Sequence, residues 1–116
     1  MIRGVGIDIV DVKRFKAAMK RFKGRFEKRL FTEAELSHCA GLRYPERHLA
    51  ARFAAKVSAF KALGRTCPYK DVEIVRDSNG RPALIVKGME KGLRLLLSLS
   101  HEKNLSLAET IAETFE

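Results

Sequence analysis

The segment PERHLAARFAAKVSAFKALG, residues 45–64, predicts the longest helix of the chain, which we expect to run from about Glu46 to Leu63. Pro45 is tolerated in a first helical turn because its missing N–H has no intrahelical partner there, and Gly64 is typical of the residue that ends a helix. The helix carries an apolar stripe at helical spacing, made of Leu49, Phe53, Val57, Phe60 and Leu63. We expect an antiparallel sheet to pack against this helix.

The beginning of the chain predicts a strand. IRGVGIDIV, residues 2–10, contains alternating apolar residues that are mostly β-branched. Gly4 and Gly6 lie inside this run, and since glycine weakens a strand we expect a bulge or the close approach of another group. Asp8 stands between two isoleucines, so its carboxylate either faces water or meets a cation.

The segment after this strand predicts a basic amphipathic helix. From Asp11 to about Lys23, apolar residues recur three and four positions apart, and the other face is rich in lysine and arginine. The next segment, RFEKRLF, adds three more cations. Thr32 and Glu35 then form a capping box, which predicts a further helix that ends at about His38.

The second half of the chain predicts strands. DVEIVRD, residues 71–77, and ALIVK, residues 83–87, are joined by the turn-forming SNGRP and predict a hairpin. Residues 93–100, LRLLLSLS, fit a helix followed by a strand. Residues 105–115 are ambiguous, and we interpret them as a strand paired with the preceding one through a turn at residues 101–104. Together these elements predict an α+β fold in a single domain, residues 1–116.

Composition limits the class of protein. The 116 residues suit one globular domain, and two cysteines without a CxxC spacing predict reduced thiols rather than a zinc site. No apolar run approaches the roughly 18 residues that span a bilayer. The first residues become charged too early for a secretory signal. We therefore expect a cytoplasmic protein that does not insert into a membrane.

The charge predicts an anionic partner. The net charge is +9, from 23 Lys and Arg against 14 Asp and Glu. Nine of the cations lie between Lys13 and Arg29, where only Glu27 opposes them. Nucleic acid, a phosphorylated cofactor and an acidic protein all fit, and a solvated surface is the alternative. Few aromatic residues and the lack of a known nucleic-acid-binding motif argue against nucleic acid.

Several residues have the chemistry of a magnesium and phosphate site. Asp8 offers a carboxylate, and magnesium is usually held by one or two carboxylates together with substrate phosphates. Lys56 and Lys61 are separated by about 140° around the helix, so they would bind opposite sides of a phosphate group, or else be two solvated lysines. Residues 64–66 offer backbone N–H groups for an anion. His101 is either structural or a general base.

Two stretches resemble the signatures of one family. GVGIDIVDVKRF and RFAAKVSAFKALG are similar to the signatures of the holo-acyl-carrier-protein synthases, which are small 4'-phosphopantetheinyl transferases. In that family the second signature reads R-F-A-x-K-E-A-x-x-K-A. RLFTEAEL, NGRP and the SLSH before the last strand fit the same family in the same order. The resemblance therefore covers nearly the whole chain.

This resemblance implies an activity and an assembly. The family transfers the phosphopantetheine arm of coenzyme A to a serine of an acidic acyl carrier protein and releases adenosine 3',5'-bisphosphate. It needs Mg²⁺, serves fatty acid biosynthesis within lipid metabolism, and usually forms a homotrimer with active sites at subunit interfaces. An acidic carrier protein would account for the basic segment without nucleic acid.

The resemblance also implies roles for individual residues. Asp8 would hold Mg²⁺ on the pyrophosphate and, together with Lys61, act in catalysis. Coenzyme A would be bound by Lys56, Lys61, Gly64, Arg65, Thr66 and His101. The carrier protein would be bound by Arg14, Arg21, Arg25, Phe26, Arg29 and Phe53.

The chain departs from the family pattern at three neighbouring positions. Val57 stands where the family has a glutamate, which is its second metal carboxylate and helps the serine lose its proton through water. Phe60 stands where a small or hydroxylated residue is common, and Gly64-Arg65-Thr66 replaces a glycine-threonine-glycine loop.

Three hypotheses follow from these residues. The first is a working transferase that relies on Asp8, substrate phosphates and additional water on magnesium. The second is a degenerate homologue that binds coenzyme A or the carrier protein with slow turnover or none. The third is an unrelated basic binding module, for instance for nucleic acid, which leaves Asp8 and the NGRP and RFAAK motifs unexplained.

Overall fold

The computed structural model describes residues 1–115 and has the predicted α+β architecture. Glu116, the last residue of the predicted domain, lies outside the described residues. The elements, in chain order, are β1 (Ile2–Asp11), α1 (Val12–Arg21), α2 (Arg25–Leu30), α3 (Glu33–Ala40), α4 (Pro45–Leu63), β2 (Val72–Arg76), β3 (Pro82–Val86), β4 (Leu93–Glu102) and β5 (Leu105–Thr114). A short 3-10 turn at Tyr69–Asp71 leads into β2. Among residues 1–115, no helix is both long and apolar enough to cross a membrane.

The strands form two antiparallel units. β5 is the central strand of a three-stranded sheet ordered β1-β5-β4, and β2 and β3 form the predicted hairpin. The strand interpretation of residues 105–115 is confirmed through Thr114. The alternative of a helix at the start of residues 93–100 is wrong, because Leu95, Leu97 and Leu99 alternate along β4 and all pack into the core.

Helix α4 lies directly on β1, and two glycines make this close approach possible. A Cβ atom on Gly6 would lie 1.9 Å from the carbonyl oxygen of Ser58, and one on Gly4 would lie 2.0 Å from that of Ala62. The pairing of β1 with β5 also shifts register between Ile2 and Gly4, which is a bulge or similar irregularity. Both features predicted from the two glycines are therefore present.

The most deeply buried face of α4 is not the one that carries the predicted apolar stripe. Leu49 and Phe60 are buried, but Phe53, Val57 and Leu63 are only partly buried. The fully buried residues of the helix include small ones on other faces, namely Ala50, Ala54, Ala55 and Ala59. Small side chains let the helix approach the sheet closely, while its larger residues face the surrounding helices and cavities.

An aromatic cluster joins the first helices to α4. The ring of Phe15 in α1 lies 5.2 Å from that of Phe26 in α2 and 5.7 Å from that of Phe53 in α4, measured between centroids. Phe31, which follows α2, lies 6.2 Å from Phe15 and is almost completely buried. Rings at these separations pack favourably. The cluster fixes α1 and α2 next to the part of α4 that precedes Val57.

Capping interactions define three helix ends, two of which were predicted. The carboxylate of Asp11 accepts a hydrogen bond of 3.0 Å from the N–H of Arg14 and so begins α1. The capping box of α3 is complete, since the N–H of Glu35 donates to Thr32 Oγ1 at 3.2 Å and the N–H of Thr32 donates to Glu35 Oε1 at 2.9 Å. Gly64 ends α4 with a φ of 71°, a conformation that glycine adopts readily.

Candidate active site

Asp8 and Lys61 meet where β1 passes the last turns of α4. The Nζ atom of Lys61 lies 3.5 Å from Oδ1 of Asp8 and donates a hydrogen bond of 2.8 Å to the carbonyl oxygen of Ile7. The side chain of Asp8 is 18% exposed. Burial raises the pKa of Asp8 above its ordinary value, and the nearby Lys61 ammonium offsets this only in part. Asp8 is therefore a partly desolvated carboxylate with one cationic partner.

The first cavity of the site opens beside Asp8 and has a volume of about 500 Å³. Asp8, Asp11 and Val57 lie in its wall, and Arg14, Phe26 and Phe53 complete it together with neighbouring residues of β1 and α1. Three residues predicted to contact a carrier protein thus share a cavity with the predicted metal ligand. This proximity comes from the aromatic cluster, which holds α1 and α2 against α4.

A second cavity of about 440 Å³ lies at the end of α4. Its lining includes Lys61 and the loop formed by Gly64, Arg65 and Thr66, all predicted to bind coenzyme A. Val57, Phe60 and Tyr69 form its apolar wall. The two bulky residues that depart from the family pattern therefore make this cavity more apolar and less acidic than a glutamate and a small residue would.

Val57 lines both cavities. It precedes Lys61 by four residues, which is about one turn of helix, so the two side chains emerge on the same side of α4. A carboxylate at position 57 would face the space beside Asp8 and Lys61. Valine instead presents an apolar surface at the junction of the two cavities.

The donor atoms near Asp8 fit a magnesium site that is completed by substrate oxygens. Asp8 and Asp11 are the two carboxylates lining the first cavity, and Asp11 is already bonded to the Arg14 N–H. Within residues 1–115, no three acidic, histidine or cysteine side chains form a group able to hold a metal by themselves. One or two carboxylates and substrate phosphates are the usual ligands of magnesium, and Asp8 meets that requirement.

Lys56 does not face either cavity. Its side chain is fully buried, and its Nζ donates to Glu35 Oε1 at 2.7 Å, to the carbonyl oxygen of Leu30 at 2.8 Å and to that of Tyr69 at 3.1 Å. An ammonium group has three N–H donors, and all three are used. Because Lys56 is buried and fully hydrogen-bonded, the prediction that it binds a phosphate is wrong. The alternative that it is solvated is also wrong.

Of the residues predicted to bind a carrier protein, all but Phe53, which is on α4, lie along α1 and α2. Phe22, Arg25, Phe26 and Arg29 surround a smaller cavity of about 300 Å³. The guanidinium group of Arg21 lies 5.6 Å from the centre of the Phe22 ring, a distance at which a cation and a ring attract each other. Phe22 is 42% exposed and was not predicted as a site residue, because its helical spacing with Phe15 and Met19 is that of a core stripe.

His101 lies in a separate basic cluster. It pairs with Ser106 on β5, which in turn pairs with Val10 on β1, so two strand spacings of about 4.8 Å separate it from β1. Its ring centre lies 6.3 Å from that of His48, near the start of α4. His48 precedes Lys61 by 13 residues, which is roughly 20 Å along a helix. One chain therefore does not bring His101 to the loop at Gly64.

Arg52 is the residue of this cluster that sequence reasoning missed. Its side chain is 6% exposed, and its Nε–H has no hydrogen-bond partner among residues 1–115. Burial, with the charges of Arg52 and His101, lowers the pKa of His48. Arg47 stacks over Tyr44, with 4.3 Å between the guanidinium carbon and the ring centre, and Tyr44 has a φ of 57°, which is uncommon for tyrosine. An accumulation of cations of this kind favours an anionic group.

Comparison with known proteins identifies the class. The family model of the 4'-phosphopantetheinyl transferase superfamily matches residues 4–111. The holo-[acyl-carrier-protein] synthase of Desulforudis audaxviator is 43% identical over 122 residues, covering 97% of this chain and 93% of the relative. That of Geotalea daltonii is 37% identical over 124 residues, covering 97% and 99%.

Solved structures agree with this result. The holo-[acyl-carrier-protein] synthase of Neisseria meningitidis superposes with a TM-score of 0.89 at 34% identity, covering 98% of this chain and all of the other. The synthase of Bacillus anthracis, solved in complex with CoA (3',5'-ADP), superposes with a TM-score of 0.86 at 31% identity, covering 99% of both chains. The fold and the sequence thus define a transferase. The chain belongs to the 4'-phosphopantetheinyl transferase superfamily.

Proposed function

We propose that this chain transfers the 4'-phosphopantetheine arm of coenzyme A to a serine of an apo acyl carrier protein, with Mg²⁺ as cofactor. The observation that carries this proposal is the joint position of Asp8 and Lys61 between a cavity with carrier-binding character and a cavity with anion-binding character. The relatives named holo-[acyl-carrier-protein] synthase support it. We also propose that it acts as a single domain and in the cytoplasm.

The reaction makes one bond and breaks another at phosphorus. The serine oxygen attacks the β-phosphorus of coenzyme A, and the bridging oxygen leaves with adenosine 3',5'-bisphosphate. Charge on the phosphate oxygens must be neutralised during this exchange. The Lys61 ammonium, held by the Ile7 carbonyl beside Asp8, would supply one positive charge. Asp8 would hold Mg²⁺, which when bound neutralises and orients the pyrophosphate.

The proton of the serine needs an acceptor in this site. Val57 has no group that takes a proton, so we propose that it leaves to water. General base assistance typically contributes about 10²–10⁴-fold to a rate, and its loss would slow the reaction without preventing it. In-line positioning by the two cavities is the larger contribution that remains.

The partner we propose is an acidic carrier protein bound on α1 and α2. Arg14, Phe26 and Phe53 line the Asp8 cavity, and Arg25 and Arg29 line the neighbouring smaller cavity. We call the cationic surface formed by Arg14, Arg21, Arg25 and Arg29 the basic surface. A cationic surface with partly exposed aromatic rings favours an acidic protein that also presents apolar residues. Arg21, which lies over the Phe22 ring, extends this surface.

We further propose that the working unit is a homotrimer. The face of the sheet opposite α4 carries several exposed apolar side chains: Val5, Ile7 and Ile9 of β1 are more than half exposed, and Leu96 and Leu105 nearly so. An apolar surface of this kind typically marks an interface. An interface between copies would also account for the separation of His101 from the Gly64 loop within one chain. His101 of one copy would lie close to the Gly64 loop of another.

A second candidate function rests on Val57. Without the glutamate, the site would still bind coenzyme A through Lys61 and the Gly64 loop while turning over slowly or not at all. A function in nucleic-acid binding has less support, since it accounts for neither the Asp8–Lys61 pair nor the family membership.

Intact-mass spectrometry of the carrier protein separates these candidates. We expect incubation with apo acyl carrier protein, coenzyme A and Mg²⁺ to add one phosphopantetheine arm, and Asp8→Asn to abolish the addition. The second candidate would be established if no mass were added while a control synthase was active and calorimetry still showed coenzyme A binding. Absence of both mass and binding would exclude both.

A further inference from the structure

The buried pair of Lys56 and Glu35 connects the two substrate-binding parts of the molecule. We infer that this pair positions the carrier-binding helix α2 and the cavity residue Tyr69 relative to α4, and that Lys56 acts through this positioning rather than by touching a phosphate. The inference rests on the proposed function, because it concerns how that site is assembled. It goes beyond that function, because neither residue lines a cavity beside Asp8 or the Gly64 loop.

The hydrogen bonds of the pair join five segments of the chain. Lys56 lies on α4 and Glu35 on α3, and both side chains are almost fully buried. Oε1 of Glu35 accepts from Lys56 and from the N–H of Thr32, while Oε2 accepts from the N–H of Ile74 on β2 at 3.2 Å. The ammonium group also binds the carbonyl oxygens of Leu30 and Tyr69. A pair with this many partners fixes distances between segments rather than one local contact.

The bond to Leu30 ties the carrier-binding helix. Leu30 is the last residue of α2, and the final carbonyl groups of a helix have no partner within the helix. Lys56 supplies that partner, and its ammonium group also lies 5.2 Å from the centre of the Phe31 ring. Arg29, one of the residues we propose to bind the carrier, directly precedes Leu30. A change at Lys56 therefore releases the end of the basic surface.

The bond to Tyr69 ties the wall of the second cavity. The ring of Tyr69 lies 5.4 Å from that of Phe60 and 5.7 Å from that of Phe53, measured between centroids. Phe60 and Tyr69 line the cavity of the Gly64 loop, and Phe53 lines the cavity of Asp8. The position of the Tyr69 backbone thus affects both cavities at once.

The chemistry of a buried pair explains why a positioning role suits it. Burial lowers the pKa of Lys56, and the hydrogen bond and charge of Glu35 act in the opposite direction. Such a pair contributes little net stability compared with apolar side chains, but removal of one partner leaves an uncompensated buried charge. The pair does fix the relative positions of the segments it joins, because each donor of Lys56 is bonded to a particular acceptor.

Variants of both partners test the inference through separate measurements of carrier binding and coenzyme A binding. We expect Lys56→Met and Glu35→Gln to behave alike: each should raise the KM for apo carrier protein by about tenfold and, because Tyr69 lines the second cavity, the Kd for coenzyme A by about threefold by calorimetry. A direct phosphate ligand would behave differently. Weaker coenzyme A binding in Lys56→Met but not in Glu35→Gln would overturn the inference.

A matched control distinguishes positioning from general loss of stability. Thr110→Val removes the 2.6 Å hydrogen bond between Thr110 and Ser58, which is also fully buried beneath α4 but contacts neither α2 nor Tyr69. We expect it to lower the melting temperature and leave the KM for the carrier unchanged. An equal rise in KM in this variant would overturn the positioning role.

Hydrogen exchange provides a readout that does not need turnover. In Glu35→Gln, amide protection should be lower than in wild type both in residues 25–31 and in residues 66–72. Lys56→Arg, a milder change, replaces this variant if it does not fold. Protection that falls in only one of the two segments would contradict their connection through the pair. If the wild-type protein modified no carrier protein, the proposed function would fail while this result could still hold.

Discussion

The ammonium group of Lys61 lies 3.5 Å from the carboxylate of Asp8 and is anchored by the neighbouring carbonyl of Ile7. Both partners lie where β1 crosses the end of α4, so the site depends on how closely these two elements approach. Val57 contributes an apolar side chain to the wall of both cavities beside this pair. These relationships lead to five predictions.

The ionised carboxylate of Asp8 should lower the stability of the folded protein at neutral pH. Because burial raises the pKa of Asp8, the folded state favours the protonated carboxyl group, and this stabilisation is lost as pH rises through the folded-state pKa. We expect Asp8→Asn to melt at a higher temperature than wild type at pH 7, with a difference that shrinks as pH falls through the folded-state pKa and disappears below the ordinary pKa of an aspartate. Thermal unfolding between pH 3.5 and 7 measures the difference. A difference that stays constant with pH would contradict the assignment.

Gly6 should tolerate no side chain. Its added Cβ would overlap the Ser58 carbonyl oxygen at 1.9 Å, and backbone atoms cannot move aside as a flexible side chain does. We expect Gly6→Ala to lower the free energy of unfolding by about 3 kcal/mol, the upper end for overpacking an interior. Gly41→Ala is the control, since its Cβ would meet its nearest neighbour at 3.8 Å, and should change stability by less than about 1 kcal/mol. Equal effects in urea unfolding would disprove the close approach.

The basic surface should govern carrier binding. We expect Arg25→Glu to raise the KM for acyl carrier protein by about tenfold and to leave the Kd for coenzyme A unchanged, because a reversed charge repels an acidic partner. The wild-type KM should also rise with salt, and the variant should respond less. Lys91→Glu carries the same charge change in an exposed turn before β4 and serves as control. Similar kinetics in the two variants would exclude a specific surface.

The outer face of the sheet should form the subunit interface. Val5 is 56% exposed in one chain, and Val5→Glu would place a charge in the proposed contact. We expect light scattering to report trimers for wild type and monomers for this variant, with loss of transfer activity. Ile85→Glu, at a residue that is 55% exposed on the β2–β3 hairpin, should remain trimeric and active. A wild-type protein that is monomeric at micromolar concentration would rule out the trimer.

Much of the fold could be predicted because local chemistry determines it. The capping box at Thr32 and Glu35, the αL conformation of Gly64 and the β2–β3 hairpin all follow from short stretches of sequence. The close approach of α4 to Gly4 and Gly6 was also predictable, since glycine weakens a strand and two glycines within one indicate a bulge or a close neighbour. Asp8, Lys61 and the Gly64 loop lie together because one helix and one strand carry them.

The features that could not be predicted depend on contacts between distant segments. The burial of Lys56 requires Glu35, 21 residues earlier, and a helix wheel gives no sign of it. The separation of His101 from Asp8 follows from the insertion of β5 between β1 and β4, although β5 is the last strand of the chain. Arg52 resembled an ordinary exposed helix residue, and only packing revealed its burial.

The central claim is that Asp8 supports arm transfer without a second carboxylate at position 57. Its most direct test is the initial rate of arm transfer, followed by intact mass, as a function of Mg²⁺ concentration for wild type, Val57→Glu and the neutral control Val57→Gln. We predict transfer by wild type, half-saturation at about tenfold lower Mg²⁺ in Val57→Glu, and no such shift in Val57→Gln. Transfer by Val57→Glu together with none by wild type at any Mg²⁺ concentration would contradict the claim.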